Sequence, residues 1–191
     1  MTFLEISANV MTAVCIILAG RNNVHTWWTG IVACILFGFL FFDSKLYADV
    51  SLQVFFVVTG IIGWYNWADS NRAFANKEHI KSIQMYTLLK YLSIALATAL
   101  AYGAILHHYT DAYAPWIDSL VLTFSVVAQL LLMRRYRETW MIWLFVNSLS
   151  VPMFYSRELY LTSALYGVFW VNAIISHMHW NKLYAEQKAS V

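Results

Sequence analysis

Residues 46–67 read LYADVSLQVFFVVTGIIGWYNW, and residues 159–180 read LYLTSALYGVFWVNAIISHMHW. Both stretches open on Leu-Tyr, close on Trp and contain neither lysine nor arginine. A bilayer core about 30 Å thick takes roughly 20 apolar residues per helical crossing, so each stretch suffices for one span. Without a gap, the register runs back to residues 26 and 139 at an offset of 113, and twelve of the 42 paired positions are identical. Among them are Thr26/Thr139, Trp27/Trp140, Leu46/Leu159, Tyr47/Tyr160, Phe56/Phe169 and Trp67/Trp180. The same offset pairs Glu5 with Asp118. A register that matches tryptophan twice is an internal repeat rather than shared apolar composition.

The rest of the chain agrees with a membrane reading. Of its 191 residues, 61% are apolar and 12% charged, against about 45–50% and about 25% in soluble domains. This composition excludes a water-soluble fold. The net charge is +2 and the basic residues form no stripe, which argues against nucleic-acid binding. Cys15 and Cys34 lie inside apolar runs, with the spacing of neither a disulfide framework nor a zinc site, and read as small core residues.

Seven spans fit, at about residues 2–19, 27–42, 46–67, 84–106, 114–133, 139–155 and 159–180. The first has no basic stretch before it and no small-residue cleavage site after it, so a mature span is expected rather than a signal peptide. Arg21, Arg72, Lys77, Lys81, Arg134, Arg135, Arg137, Lys182 and Lys188 fall on one side, and only Lys45 and Arg157 on the other. Lys90, near the start of the fourth span, can snorkel to the basic side. The positive-inside rule then places the amino terminus outside and the carboxyl tail in the cytoplasm. The expected fold is all-α: two parallel three-helix repeats, residues 1–67 and 114–180, joined by a lone helix at 84–106 after a cytoplasmic loop at 68–83, with a tail at 181–191. Parallel repeats about an axis along the membrane normal are a transporter architecture with substrate held near the midplane.

The sixth span carries Trp140-x-x-Trp143-x-x-x-Asn147. At about 100° per residue, Trp143 lies about 60° and Asn147 about 20° from Trp140, so the three share a face. Asn147 is roughly 13.5 Å deep at about 1.5 Å per residue, close to the bilayer middle. An amide at that depth faces protein or a water-filled cavity. The third span carries a second polar stripe of Asp49, Gln53, Gly60 and Trp64, whose repeat mates for Asp49, Gln53 and Trp64 are Thr162, Tyr166 and His177. Gly30 and Cys34 are the mates of Trp143 and Asn147 and leave room for a ligand. Indole faces attract cations and amides orient polar edges, which suits a flat, positively charged heteroaromatic ring. Asp49 near the outer mouth would concentrate such a cation.

Other chemistries lack their residues. There is no phosphate-binding G-x-x-x-x-G-K-[ST] loop for ATP, and no lysine in 159–180 for a retinal Schiff base. His177 and His179 fall on opposed helix sides, and His107 with His108 at a span end, so neither pair forms a metal site. The acidic residues sit at span ends, which disfavours a proton relay. A uniporter without cofactor is expected; a passive vitamin-binding subunit served by an external ATPase and a membrane enzyme are the readings from other classes.

Leu46-Tyr47-Ala48-Asp49, Leu52-Gln53-Val54-Phe55-Phe56, Gly63-Trp64-Tyr65-x-Trp67, Trp116-Ile117-Asp118-Ser119 and Glu138-x-Trp140-x-x-Trp143-x-x-x-Asn147 together resemble the PnuC family of vitamin transporters. The resemblance covers nearly the whole chain. It implies a 3+1+3 arrangement similar to the SWEET sugar transporters, a homotrimer in the bacterial inner membrane, and facilitated diffusion of an unphosphorylated vitamin. It also implies trapping of that vitamin by a cytoplasmic kinase. By the same resemblance Trp140, Trp143, Asn147 and Gln53 contact substrate. Family branches carry nicotinamide riboside, thiamine or riboflavin. Asn147 fits the first branch, whereas Gly60 stands where that branch tends to carry an asparagine, which tilts the expectation slightly to thiamine.

Overall fold

The computed structural model describes residues 3–43, 47–73, 79–110, 114–158 and 160–189. Among them are seven helices: α1 (Phe3–Gly20), α2 (Thr26–Asp43), α3 (Tyr47–Ala73), α4 (Met85–Tyr109), α5 (Pro115–Met133), α6 (Thr139–Ser156) and α7 (Tyr160–Ala189). The described residues form no strand, only an isolated bridge between Lys81 and Tyr136. By length and apolar composition α1, α4 and α5 each suffice to cross a membrane. Lys45, Leu46, Lys77 and Leu159 lie outside the described residues, as does the side chain of Asp49.

Two helices outrun their apolar stretches. α3 continues past Trp67 to Ala73, and α7 past Trp180 to Ala189, so residues expected as loop and tail begin as helix. A helix satisfies its own backbone whether or not a face is buried. In α7 the extension carries the Lys182–Glu186 pair at i,i+4 spacing, 3.9 Å apart.

The chain packs as two compact units, Met1–His79 with Lys182–Val191, and Ile80–Asn181. In the first, α2 packs on α1 and α3. Here Gly63 admits the indole of Trp27: a Cβ at 63 would lie 2.4 Å from the ring. In the second, α5 packs on α4 and α6. α4 presents buried Ala95, Ala99 and Gly103 at one-turn spacing, and a Cβ at 103 would lie 2.7 Å from the Trp116 ring. Stripes of small residues let membrane helices approach closely where burial of apolar surface supplies no driving force. Pro115 opens α5 at a position where a missing N–H costs nothing.

The duplication read in the sequence reappears in backbone geometry. α1 ends with Asn22 at φ 54° and α5 with Arg135 at φ 57°. Asn22 N–H donates to Ala19 O and Asn23 N–H to Leu18 O; Arg135 N–H donates to Leu132 O and Tyr136 N–H to Leu131 O. Both are Schellman turns, a left-handed residue closing the last carbonyls of a helix. Four residues later Thr26 Oγ1 donates to Cys15 O at 2.8 Å, and Thr139 Oγ1 to Ala128 O at 2.7 Å. Every one of these partners is displaced by the same 113 positions.

Candidate functional site

Within the second unit, α6 turns one face inward. Trp140 and Asn147 are 3% and 4% exposed, Trp143 is half-buried, and Ser150 is fully buried. The opposite face, with Met141, Phe145 and Tyr155, is exposed. Helical spacing therefore does bring Trp140, Trp143 and Asn147 to one side, as the sequence implies. Trp143 packs against a cluster of Ala128, Leu131 and Ile142 that joins α5 to α6. Among the described residues no hydrogen bond engages the Asn147 carboxamide. Unlike the side-chain atoms of Asn22 and the indole nitrogen of Trp140, its amide atoms are not sealed off, so a ligand or water can reach them.

Trp140 stacks edge-on against Trp180 of α7, centroids 5.5 Å apart and planes at 83°. Tyr166 lies between Phe154 and Phe169, with centroid distances of 4.9 and 5.6 Å. Pro152, which the sequence argument does not include, stands five residues after Asn147 inside α6. Having no N–H, it leaves the carbonyl of Ser148 without its helical donor, beside Asn147. A proline one turn past an intramembrane amide is the signal that would have found it.

The base of this arrangement is held by charged groups. The Glu138 carboxylate accepts from Ser82 Oγ at 2.6 Å and from Ile83 N–H at 3.2 Å, fixing the entry to α4. Arg137 Nε lies 3.2 Å from the same carboxylate, and its Nη1 donates to Asn181 Oδ1 at 3.2 Å. Asn181 Nδ2 is 2.9 Å from His177 Nε2. His177, expected on the polar face of the seventh span, is thus engaged along its own helix.

In the first unit the expected stripe divides. Gln53 is half-buried and lines an apolar groove of about 260 Å³ between α2 and α3, with Cys34 and Gly38 opposite. Trp64 is 43% exposed. Gly60 is buried, and a Cβ there would lie 3.0 Å from Ile31 Cγ1 of α2. Position 60 is therefore a close contact of α3 with α2. The described residues contain no group of three or more metal-binding side chains.

An all-helical chain with membrane-length apolar helices and an uncommitted amide in one of its spans is a multi-pass membrane protein. It belongs to the nicotinamide mononucleotide transporter family, whose profile matches residues 2–182, the PnuC family its motifs resemble. The nicotinamide riboside transporter PnuC of Escherichia coli K12 is 26% identical, over 94% of this chain and 85% of that protein. The protein of that name from Neisseria mucosa is also 26% identical, over 92% and 71%. The riboflavin/roseoflavin transporter RibM of Streptomyces davaonensis is 20% identical, over 86% and 78%. In fold the chain is similar to the crystal structure of a vitamin B3 transporter PnuC, with a TM-score of 0.73 at 23% identity, covering 96% of this chain and 83% of that one.

Proposed function

We propose that this protein carries nicotinamide riboside, in its unphosphorylated form, across the bacterial inner membrane. The observation that carries the reading is the Asn147 carboxamide, which no hydrogen bond engages among the described residues, on the inward face of α6 that also bears Trp143. An indole suits the flat pyridinium cation, and a carboxamide complements the carboxamide of nicotinamide. The names of the relatives support the riboside over thiamine, toward which Gly60 tilted the expectation.

The riboside is favoured over the mononucleotide by charge. Residues 139–156, 160–180 and 47–67 contain no lysine or arginine. A buried phosphate dianion without a cationic partner is prohibitively costly. Trp140, Trp143, Asn147, Tyr166 and Gln53 are the proposed substrate contacts, with Asp49 toward the outer mouth and Trp64 toward the cytoplasmic end of α3. Transport is by facilitated diffusion: two parallel three-helix repeats joined by α4 expose the substrate alternately, and a cytoplasmic kinase retains it by adding charge. The amino terminus is outside, the carboxyl tail is cytoplasmic, and the assembly is a homotrimer. The duplicated turn at Asn22 and Arg135 supports the repeat.

Titration calorimetry of the purified protein with nicotinamide riboside, its mononucleotide, thiamine and riboflavin tests the assignment. Binding of the riboside above the other three is expected; preference for another of them overturns it. Uptake by proteoliposomes without nucleotide tests the uniport mechanism, and dependence on an added ATPase would replace it with the binding-subunit reading.

A further inference from the structure

Glu138 opens α6, its carbonyl accepting from Met141 N–H. An acid at that position ordinarily accepts from the free N–H groups of its own first turn, where the helix dipole favours it. The Glu138 carboxylate is not spent in that way. It reaches across to the chain ahead of α4: Oε1 accepts from Ser82 Oγ at 2.6 Å and Oε2 from Ile83 N–H at 3.2 Å, while Arg137 Nε closes on Oε1 at 3.2 Å. Beside it Lys81 N–H donates to Arg135 O at 2.9 Å and Arg137 N–H to Lys81 O at 3.0 Å, and Ile80 is buried. The entry to α4 is thereby fastened to the turn between α5 and α6. The matching place in the first repeat is built differently: position 25 is a histidine bonded to Asn23, Trp28 and Thr29, its neighbours along the chain. That repeat also has Gly30 and Cys34 where α6 has Trp143 and Asn147. Both repeats keep the bond of Thr26 or Thr139 to the preceding helix, so that bond belongs to the common scaffold. The carboxylate clamp goes with the helix that carries the second indole and the amide.

We propose that Glu138 is a positioning residue: by tying the start of α6 to the entry of α4, it holds Trp140, Trp143 and Asn147 where the substrate meets them. The inference rests on the reading of α6 as the substrate-binding helix. Binding groups must be kept within about 0.5 Å of their working geometry by the structure behind them. Trp140 and Trp143 follow Glu138 by about 3 and 7.5 Å along the helix axis, so slack at residue 138 passes to both. Bonds to an ionised carboxylate are the stronger kind, which suits an anchor of so few contacts.

Calorimetry with nicotinamide riboside on the full-length protein tests this. Glu138→Ala should weaken binding by about threefold to tenfold, and Ser82→Ala, on the far side of the clamp, by a smaller factor. Glu138→Gln, which keeps one acceptor oxygen, should restore most of the affinity. A covalent substitute for the clamp separates positioning from contact with substrate. Lys81 and Tyr136 are bridge partners, so cysteines there stand about 4.8 Å apart, within the span of a disulfide. In a Lys81→Cys, Tyr136→Cys protein whose Cys15 and Cys34 are alanine, Glu138→Ala should cost the full factor while the thiols are reduced. Once the disulfide forms, it should cost less than about twofold, measured against the same protein with Glu138 intact. An equal loss in both redox states would overturn the proposal, as would wild-type affinity in both Glu138→Ala and Ser82→Ala. If Glu138→Ala fails to fold, Ser82→Ala in the same two redox states decides. If the wild type binds another ligand of the calorimetric panel in place of the riboside, the assigned substrate fails, and the same comparison with that ligand still tests the clamp.

Discussion

Arg157 Nη2 lies 2.9 and 3.1 Å from the two carboxylate oxygens of Asp118, tying the C-terminal end of α6 to the first turn of α5. Both side chains are less than one-third exposed, at 25% and 30%. The mate of Asp118 in the first repeat is Glu5, and the mate of Arg157 is Ser44. Asp118→Ala is expected to cost roughly 1–2 kcal/mol of stability, as for a well-oriented, partly buried charge pair. Thermal unfolding in detergent at low and high salt checks this; an unchanged melting temperature would show that the pair holds nothing.

Asn147→Ala should weaken riboside binding by about tenfold or more, because one buried hydrogen bond to ligand is lost. The same change should leave the unliganded protein about as stable as the wild type, since nothing in the described structure engages that amide. Loss of affinity together with loss of folding would assign Asn147 to structure instead.

Three glycines separate close packing from open space. Gly63→Ala places a Cβ 2.4 Å from the Trp27 ring and should destabilise by about 1–3 kcal/mol. At Gly60 the nearest atom is 3.0 Å away on the flexible Ile31 side chain, so alanine there should cost less. Gly167 has nothing within 4 Å, and alanine there should stabilise α7 by up to about 1 kcal/mol through helix propensity. The ranking of three melting temperatures tests the packing directly.

Asn22 is fully buried at a left-handed backbone position, and among the described residues neither its Oδ1 nor its Nδ2 has a hydrogen-bond partner. Asn22→Gly keeps the turn and removes two orphaned atoms, and should raise stability by about 1 kcal/mol. Asn22→Ala removes the same atoms but strains the backbone, and should gain nothing. Equal melting temperatures for the two variants would refute that division.

Most of the helical order was legible because the bilayer imposes a length on every apolar run. The extensions to Ala73 and Ala189 were not, since polar residues beyond the apolar core carry no span signal yet still wind. At the site, the shared face of Trp140, Trp143 and Asn147 follows from helix geometry alone. That Trp140 spends its ring on Trp180 does not, because the partner lies 40 residues away; only the recurrence of both tryptophans at one offset hinted at it.

The repeated turn at Asn22 and Arg135 has an evolutionary corollary. Two separate, identical half-length proteins must present every functional group in duplicate, which is poorly suited to a ligand whose two ends differ. Once both copies share one gene, their scaffolding can stay alike while the lining diverges. One repeat accordingly carries an indole and an amide where the other carries glycine and cysteine.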